Sequence, residues 1–153
     1  MDHPSQQPAC SRVRSAQAGQ GLVVAAFPDA ARAGAAMLRN GGNAVDAACA
    51  AAWALGVCEP AESGLGGQTT MLIRLADGHS VVVDGHSRAP SSLTRAACGR
   101  RSQKRGFKAC TVPSTVATLA EAQRRYGRLS LRETLEPSIL LALDGYRITK
   151  LQR

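Results

Sequence analysis

The sequence predicts an α+β fold, because strand-like and helix-like stretches are segregated along the chain instead of alternating as regular βαβ units. Three observations carry that reading: an apolar run at residues 22–27 (LVVAAF), two alternating stretches joined across an Asp-Gly pair, and four helix-like stretches with start and stop signals.

The elements follow in chain order. The run at residues 21–27 is continuous and apolar, which suits a buried strand. Pro28 and Asp29 then open a helix, with proline tolerated at the first position and the carboxylate favourable at the positive end of the dipole. Asn40, Gly41 and Gly42 stop it after about Arg39. Asn43 caps a second helix with Asp46 in its first turn; through Leu55 it is almost all alanine with Val45 and Trp53, so it should be buried on nearly every side. After Glu59 and Pro60 comes SGLGGQ (residues 63–68), whose clustered glycines permit positive φ and close backbone approach. Residues 69–75 and 79–84 alternate and are joined by Ala76, Asp77 and Gly78, a hairpin signal. Residues 84–90 (DGHSRAP) leave the sheet, and residues 91–108 read as a polar, basic loop. A third helix spans residues 114–125, with Val116, Leu119 and Ala122 on one face and Gly127 past its end. Ser130 and Glu133 form a capping box for a fourth, which Pro137 should kink or restart, giving residues 138–144 before Gly145. So few strands leave sheet edges unpaired, and exposed edges are where another segment adds.

Composition bounds the class. The 153 residues suffice for one domain with a core, and 44% hydrophobic against 20% charged residues is a globular balance, not that of a disordered chain. Only 3% are aromatic, so Ala, Val, Leu and Ile must build the core around Trp53, Phe27 and Tyr126. Small side chains bury little area each, and such a segment standing alone is expected to be marginally stable. A formal net charge of +8 would favour polyanions, but much of it is concentrated in Arg95, Arg100, Arg101, Lys104, Arg105 and Lys108. That reads as one basic loop; with Phe107 as its single stacking aromatic, a small polyanion-binding protein is the second reading, and nucleic acid is not the expected partner.

Cys10, Cys49, Cys58, Cys98 and Cys110 are odd in number, with no CxxC pair and no histidine at metal-ligand spacing, so neither a disulfide framework nor a metal site is expected. Cys49 should be a buried, inert thiol. Residues 1–20 form a polar tail without the apolar core of a signal peptide, and no stretch reaches the ~18 apolar residues of a membrane span, so the expectation is a cytoplasmic protein with no membrane partner.

Several residues invite a chemical reading. Thr69 and Thr70 are adjacent threonines in a strand with no histidine after them. Asp84, His86 and Ser87 have the residue types of a hydrolytic triad, but so close together they cannot easily align, and a triad is recognised by geometry. Gly64, Gly66 and Gly67 precede a strand and lack the lysine of a phosphate loop, so they are structural glycines near a pocket. His3 and His79 have no evident partners and read as a tail and a hairpin residue.

Five phrases in fixed order carry the sharpest signal: GGNAVDAACAAAWALGV (41–57), EPAESGLGGQTTMLI (59–73), DGHSRAP (84–90), VPSTVATLAEAQRRYG (112–127) and LRETLEPSILLALDGYRIT (131–149). Together they resemble the γ-glutamyltransferase family, over nearly everything after residue 21. The resemblance implies a partial αββα sandwich of the N-terminal nucleophile hydrolase type: residues 21–149 would be the N-terminal part of the domain, and 150–153 a truncated tail. It also implies a self-cleaving precursor whose new N-terminal threonine is the nucleophile, its free amine acting as base. The reaction implied moves the γ-glutamyl group of glutathione or a related amide onto water or an amino acid, without metal or organic cofactor.

Two departures follow. The family's Thr-Thr-His type nucleophile segment has no match here, so the chain is expected to hold no catalytic residue, to lack the nucleophile-bearing strands and to be an inactive fragment, with a catalytic small subunit as partner if one is encoded elsewhere. The family phrase D-x-R-E-x-A-P supplies an arginine that grips the substrate α-carboxylate; that register places His86 at the arginine and Ser87 at the glutamate. Histidine cannot reproduce a permanently charged fork, whereas Arg88, two residues on, points to the same face of an extended segment. His86 and Arg88 are therefore the expected substrate-binding residues, for a small-molecule γ-glutamyl or acyl-amide substrate, and an acylase or amidohydrolase with another substrate is the alternative.

Overall fold

The computed structural model describes residues 17–94, 96, 104–148 and 152. Of the expectations above, those on His3, Cys10, Cys98, Arg95, Arg100 and Arg101, and on most of the two tails, lie outside the described residues.

Helix α1 (Pro28–Arg39) starts and ends where proline, Asp29 and the Asn40–Gly41 stop place it, and Gly41 adopts a φ of +86° beyond the cap. It lies against α2 (Ala44–Cys58) most closely at Gly34, where an added Cβ would stand 2.6 Å from the Ala47 carbonyl. Asn43 caps α2: its side-chain oxygen accepts from the Val45 and Asp46 amides at 2.9 and 3.1 Å, and the Asp46 carboxylate accepts from the Asn43 amide at 2.6 Å. Most of α2 is buried as expected, but Ala48 is exposed and Ala52 and Leu55 are half-buried, leaving one alanine face open.

Strands β1 (Thr69–Arg74) and β2 (Ser80–Gly85) pair antiparallel from Thr69↔Gly85 to Arg74↔Ser80. The Leu75 amide donates to the His79 carbonyl at 2.8 Å, and Gly78, at φ +91°, makes the expected turn. Met71, Ile73 and Val83 face the main core of Val45, Cys49, Trp53, Leu119 and Ala122. On the opposite face Leu72 and Val82 are register partners and stand 73% and 58% exposed.

Helices α3 (Thr115–Tyr126) and α4 (Leu131–Asp144) close the order. The Ser130–Glu133 capping box forms, the Glu133 carboxylate accepting from the Ser130 amide at 2.7 Å. The join between the two helices is bolted to α2 by Asp46. Its carboxylate is fully buried and also accepts from the Arg128 and Leu129 amides, each at 3.1 Å, and from the Gln123 amide group, while the Asn43 side chain donates to the Tyr126 carbonyl at 2.6 Å. Burial alone would raise the Asp46 pKa; the donors at Asn43, Arg128, Gln123 and Leu129 outweigh it and hold the carboxyl below its ordinary value.

Three expectations are corrected. Residues 21–27 form no strand. Val23, Ala25 and Phe27 are half-buried while Leu22 and Val24 are exposed, so the run has a strand's alternation but no strand paired with it among the described residues. Pro137 does not restart the last helix: α4 is continuous through it, because Thr134 and Ser138, buried on either side, are packed into the body of the molecule and carry the helix past the missing hydrogen bond. Val116 is half-exposed; the inward face of α3 is Thr115, Thr118, Leu119, Ala122 and Gln123, with polar residues toward the hairpin.

Candidate functional site

The site forms where three segments meet: the glycine loop after α2, the exit of β2, and the start of α3. The loop is folded on itself, with the Ser63 amide and hydroxyl both donating to Glu59, at 2.9 Å to its carbonyl and 2.7 Å to its carboxylate, and the Gly67 amide donating to the Gly64 carbonyl at 3.2 Å. None of Gly64, Gly66 and Gly67 has a positive φ, so the conformational reason expected for them does not hold. Gly66 is in the open; Gly64 and Gly67 place an added Cβ 3.3 and 3.4 Å from backbone oxygens. Together they line a hollow of about 600 Å³ with Glu62, Ser63 and Thr115.

The glycine that the geometry demands is one that sequence reasoning passed over. Gly85 is buried at the end of β2, where an added Cβ would lie 1.8 Å from Thr118 Oγ1 and 2.4 Å from the Thr69 carbonyl oxygen. A glycine closing a strand is a signal of such close approach. The Ser114 hydroxyl donates to the Gly85 carbonyl, the Thr118 hydroxyl donates to the Ser114 carbonyl at 2.8 Å, and the Thr69 hydroxyl donates to that of Thr115 at 3.1 Å.

Beyond Gly85 the chain makes an isolated antiparallel bridge between Arg88 and Val112. His86 and Arg88 line one hollow, of about 290 Å³, with Asp84, Ser114, Thr118 and Glu121. It is separate from the glycine hollow. Hydrogen bonds join the segments that line the two: the Ser114 and Thr115 amides donate to the Gly67 carbonyl at 3.0 and 3.3 Å, and the Gln68 side-chain oxygen accepts from the Ser87 amide and hydroxyl at 3.1 and 3.2 Å.

The charges there are arranged by partners. The Asp84 carboxylate meets His86 Nδ1 at 2.7 Å and accepts from the His86 amide at 3.0 Å; the imidazole contact first, then the amide, hold its carboxyl below the ordinary value. Glu121 is held at about 2 chiefly by the Arg124 guanidinium, with Arg125 also pairing to it. With both carboxylates engaged, Arg88 is the group suited to an incoming anion; the remaining His86 nitrogen donates to one only when the imidazole carries both protons.

The triad reading fails on geometry, since the Ser87 hydroxyl donates to Gln68 while His86 is turned to Asp84. Thr69 and Thr70 sit in β1 as expected. Cys49 is buried, its thiol donating to the Leu119 carbonyl at 3.6 Å; burial, then the charge of Asp46, push it up to about 12, the state of an inert thiol. His79, expected to be without a partner, pairs with Asp77 at 3.1 Å on the exposed hairpin turn, because the Asp-Gly turn folds the two side chains together. Among the described residues no group of His, Cys, Asp and Glu is disposed to hold a metal, and no helix is long and apolar enough to cross a membrane.

This combination, helices on one side of a hairpin whose other apolar face is open, is a partial α+β layer of the N-terminal nucleophile hydrolase type. A likeness to the crystal structure of the Helicobacter pylori γ-glutamyltranspeptidase places it there: TM-score 0.83 at 33% identity, over 91% of this chain and 42% of that one. The family model for γ-glutamyltranspeptidase matches residues 30–153, and the chain belongs to that family. Glutathione hydrolase 2 of Arabidopsis thaliana is 41% identical over 119 residues, covering 76% of this chain and 21% of that protein. The acylase ACY 1 proenzyme of Pseudomonas sp. (strain SE83) is 40% identical over 149 residues, covering 89% and 27%. The chain thus spans about a quarter of the length of these curated relatives.

Proposed function

We propose that this chain supplies the substrate-holding part of an amide-cleaving acyl-transfer enzyme, and that His86 and Arg88 hold an anionic group of a small γ-glutamyl or acyl-amide substrate. The observation that carries the reading is that these two side chains line one hollow while both neighbouring carboxylates already have partners, Asp84 in His86 itself and Glu121 in Arg124. Arg88 offers the planar fork that fits a carboxylate, and His86, whose Nδ1 faces Asp84, adds a donor at Nε2 in its doubly protonated form. Proton transfer and nucleophilic attack are assigned to a threonine-bearing second part, as the proenzyme relative suggests. Without that part the 153-residue chain does not turn over.

The experiment has two arms. The purified chain is incubated with γ-glutamyl-p-nitroanilide, with no release of p-nitroaniline expected; turnover by this chain alone overturns the assignment. It is then titrated with L-glutamate while the backbone amide resonances of residues 84–88 are followed; saturable binding lost in Arg88→Met is expected, and binding unchanged in that variant removes Arg88 from the site. An acylase with another acyl group is the second reading, favoured by histidine at the position of the family's arginine and by the acylase relative. Glutarate competing as well as L-glutamate would favour it.

A further inference from the structure

Arg88 and His86 are exposed, and exposed side chains on an irregular segment do not by themselves aim at anything. What fixes this segment comes from elsewhere in the fold. Gly85 is held by the Ser114 hydroxyl at its carbonyl, Ser87 by Gln68 at both its amide and its hydroxyl, and Arg88 by the Val112 amide, which donates to its carbonyl at 2.8 Å. His86 alone is tied to its own strand, through Asp84. Of four consecutive residues, three are therefore anchored by groups outside the segment. Two of those anchors are side chains.

We propose that Gln68 and Ser114 are positioning residues for the anion-holding pair, Gln68 by fixing Ser87 between the two and Ser114 by fixing the strand end from which they leave. This rests on the reading of His86 and Arg88 as the substrate grip. Gln68 suits the task because one amide oxygen accepts two hydrogen bonds, from a backbone N–H and a hydroxyl of the same residue, which removes the freedom to rotate that either bond alone would leave. Ser114 suits it because Gly85 leaves no room for the strand end to move inward: Thr118 and the Thr69 carbonyl already occupy that space. Ser114 itself is held by the bond its amide makes to Gly67 and by Thr118 on its carbonyl. A side chain that holds the backbone on either side of a ligand-gripping residue contributes by lowering the cost of ordering it on binding.

The test uses the intact chain, labelled for nuclear magnetic resonance, with L-glutamate as the probe. Gln68→Leu and Ser114→Ala are expected each to weaken glutamate binding by roughly threefold to tenfold, the range of one to two lost hydrogen bonds. Exchange of the Ser87 amide should quicken in Gln68→Leu while the β1–β2 amides keep wild-type rates and the unfolding midpoint is unchanged, an outcome that a purely structural role would not give. Gln68→Glu, which keeps the double acceptor, should restore slow exchange at Ser87. Because Gln68 is exposed, its variants fold independently of what happens at the part-buried Ser114. Glutamate binding that is lost in Arg88→Met yet unaltered in both Gln68→Leu and Ser114→Ala overturns the positioning role alone. A wild-type chain that binds no glutamate overturns the grip and the positioning role together.

Discussion

Two carboxylates in this molecule make similar hydrogen bonds to opposite ends. Asp46 is completely buried and collects donors from residues 43, 123, 128 and 129, joining α2 to the turn between α3 and α4. Asp84 stands in solvent and collects its two contacts from one neighbour, His86. Burial makes the first a structural element, since a carboxylate stripped of water is tolerable only when protein donors replace the water and becomes costly when they are taken away. Exposure makes the second expendable for folding and available for function, because water stands ready to replace whatever partner leaves.

The largest expected effect breaks the buried end. Asp46→Ala leaves three backbone amides without an acceptor and should destabilise the chain by about 3–5 kcal/mol, read from urea unfolding. The same group predicts a pH dependence. Its folded pKa lies below its unfolded value of about 3.9, so the unfolded chain binds the proton more tightly. The stability contributed by Asp46 is then complete well above pH 4 and is lost as the pH falls through the lower, folded value. The unfolding midpoints of wild type and Asp46→Asn should accordingly differ most near pH 7 and converge as the pH falls below about 4; a gap that widens on acidification would reverse the sign argued here.

Gly85 marks the seam between the two regions and gives the next effect. In Gly85→Ala the new methyl group meets a backbone oxygen, which no side-chain rotation relieves, so a loss of about 2–3 kcal/mol is expected in the same urea assay. Removing the nearer hydroxyl in Gly85→Ala/Thr118→Ala should recover part of that and not all. Full recovery would show that Thr118, and not the packing of β2 on β1, sets the limit.

The difference between the regions also explains how much was legible in the sequence. Features written in adjacent residues were read correctly: the caps at Asn43 and Ser130, the proline start and glycine stop of α1, the Asp-Gly hairpin. Features that depend on distant partners were not. The alternation at residues 21–27 needs a neighbouring strand to become a strand, and none among the described residues is paired there. Proline 137 sits in a helix whose continuation is decided by packing on α2, not by local propensity. Asp46 looked like an ordinary first-turn acid, since its partners are some eighty residues away. Of the candidate site, His86 and Arg88 line one hollow, but the glycines line another, and Gln68 and Ser114 were invisible because nothing in a single glutamine or serine signals which backbone it will hold.

The smallest effect sharpens the comparison at its exposed end. His86→Ala removes both the imidazole contact to Asp84 and one of the two groups offered to an anion, yet water can solvate Asp84 in its place, so the unfolding midpoint should move by no more than roughly a degree or two. Glutamate binding should weaken measurably in the same variant, though less than in Arg88→Met, because an imidazole that donates from Nε2 only when doubly protonated contributes less than a permanently charged fork. Asp84→Asn should likewise leave stability nearly intact, but its consequence for binding is opposite in sign: with the carboxylate gone, one negative charge is lost from the hollow's rim and an anion should bind more tightly. Opposed shifts in binding at constant stability, for two partners of one hydrogen bond, are the signature of a pair that belongs to the site and not to the fold.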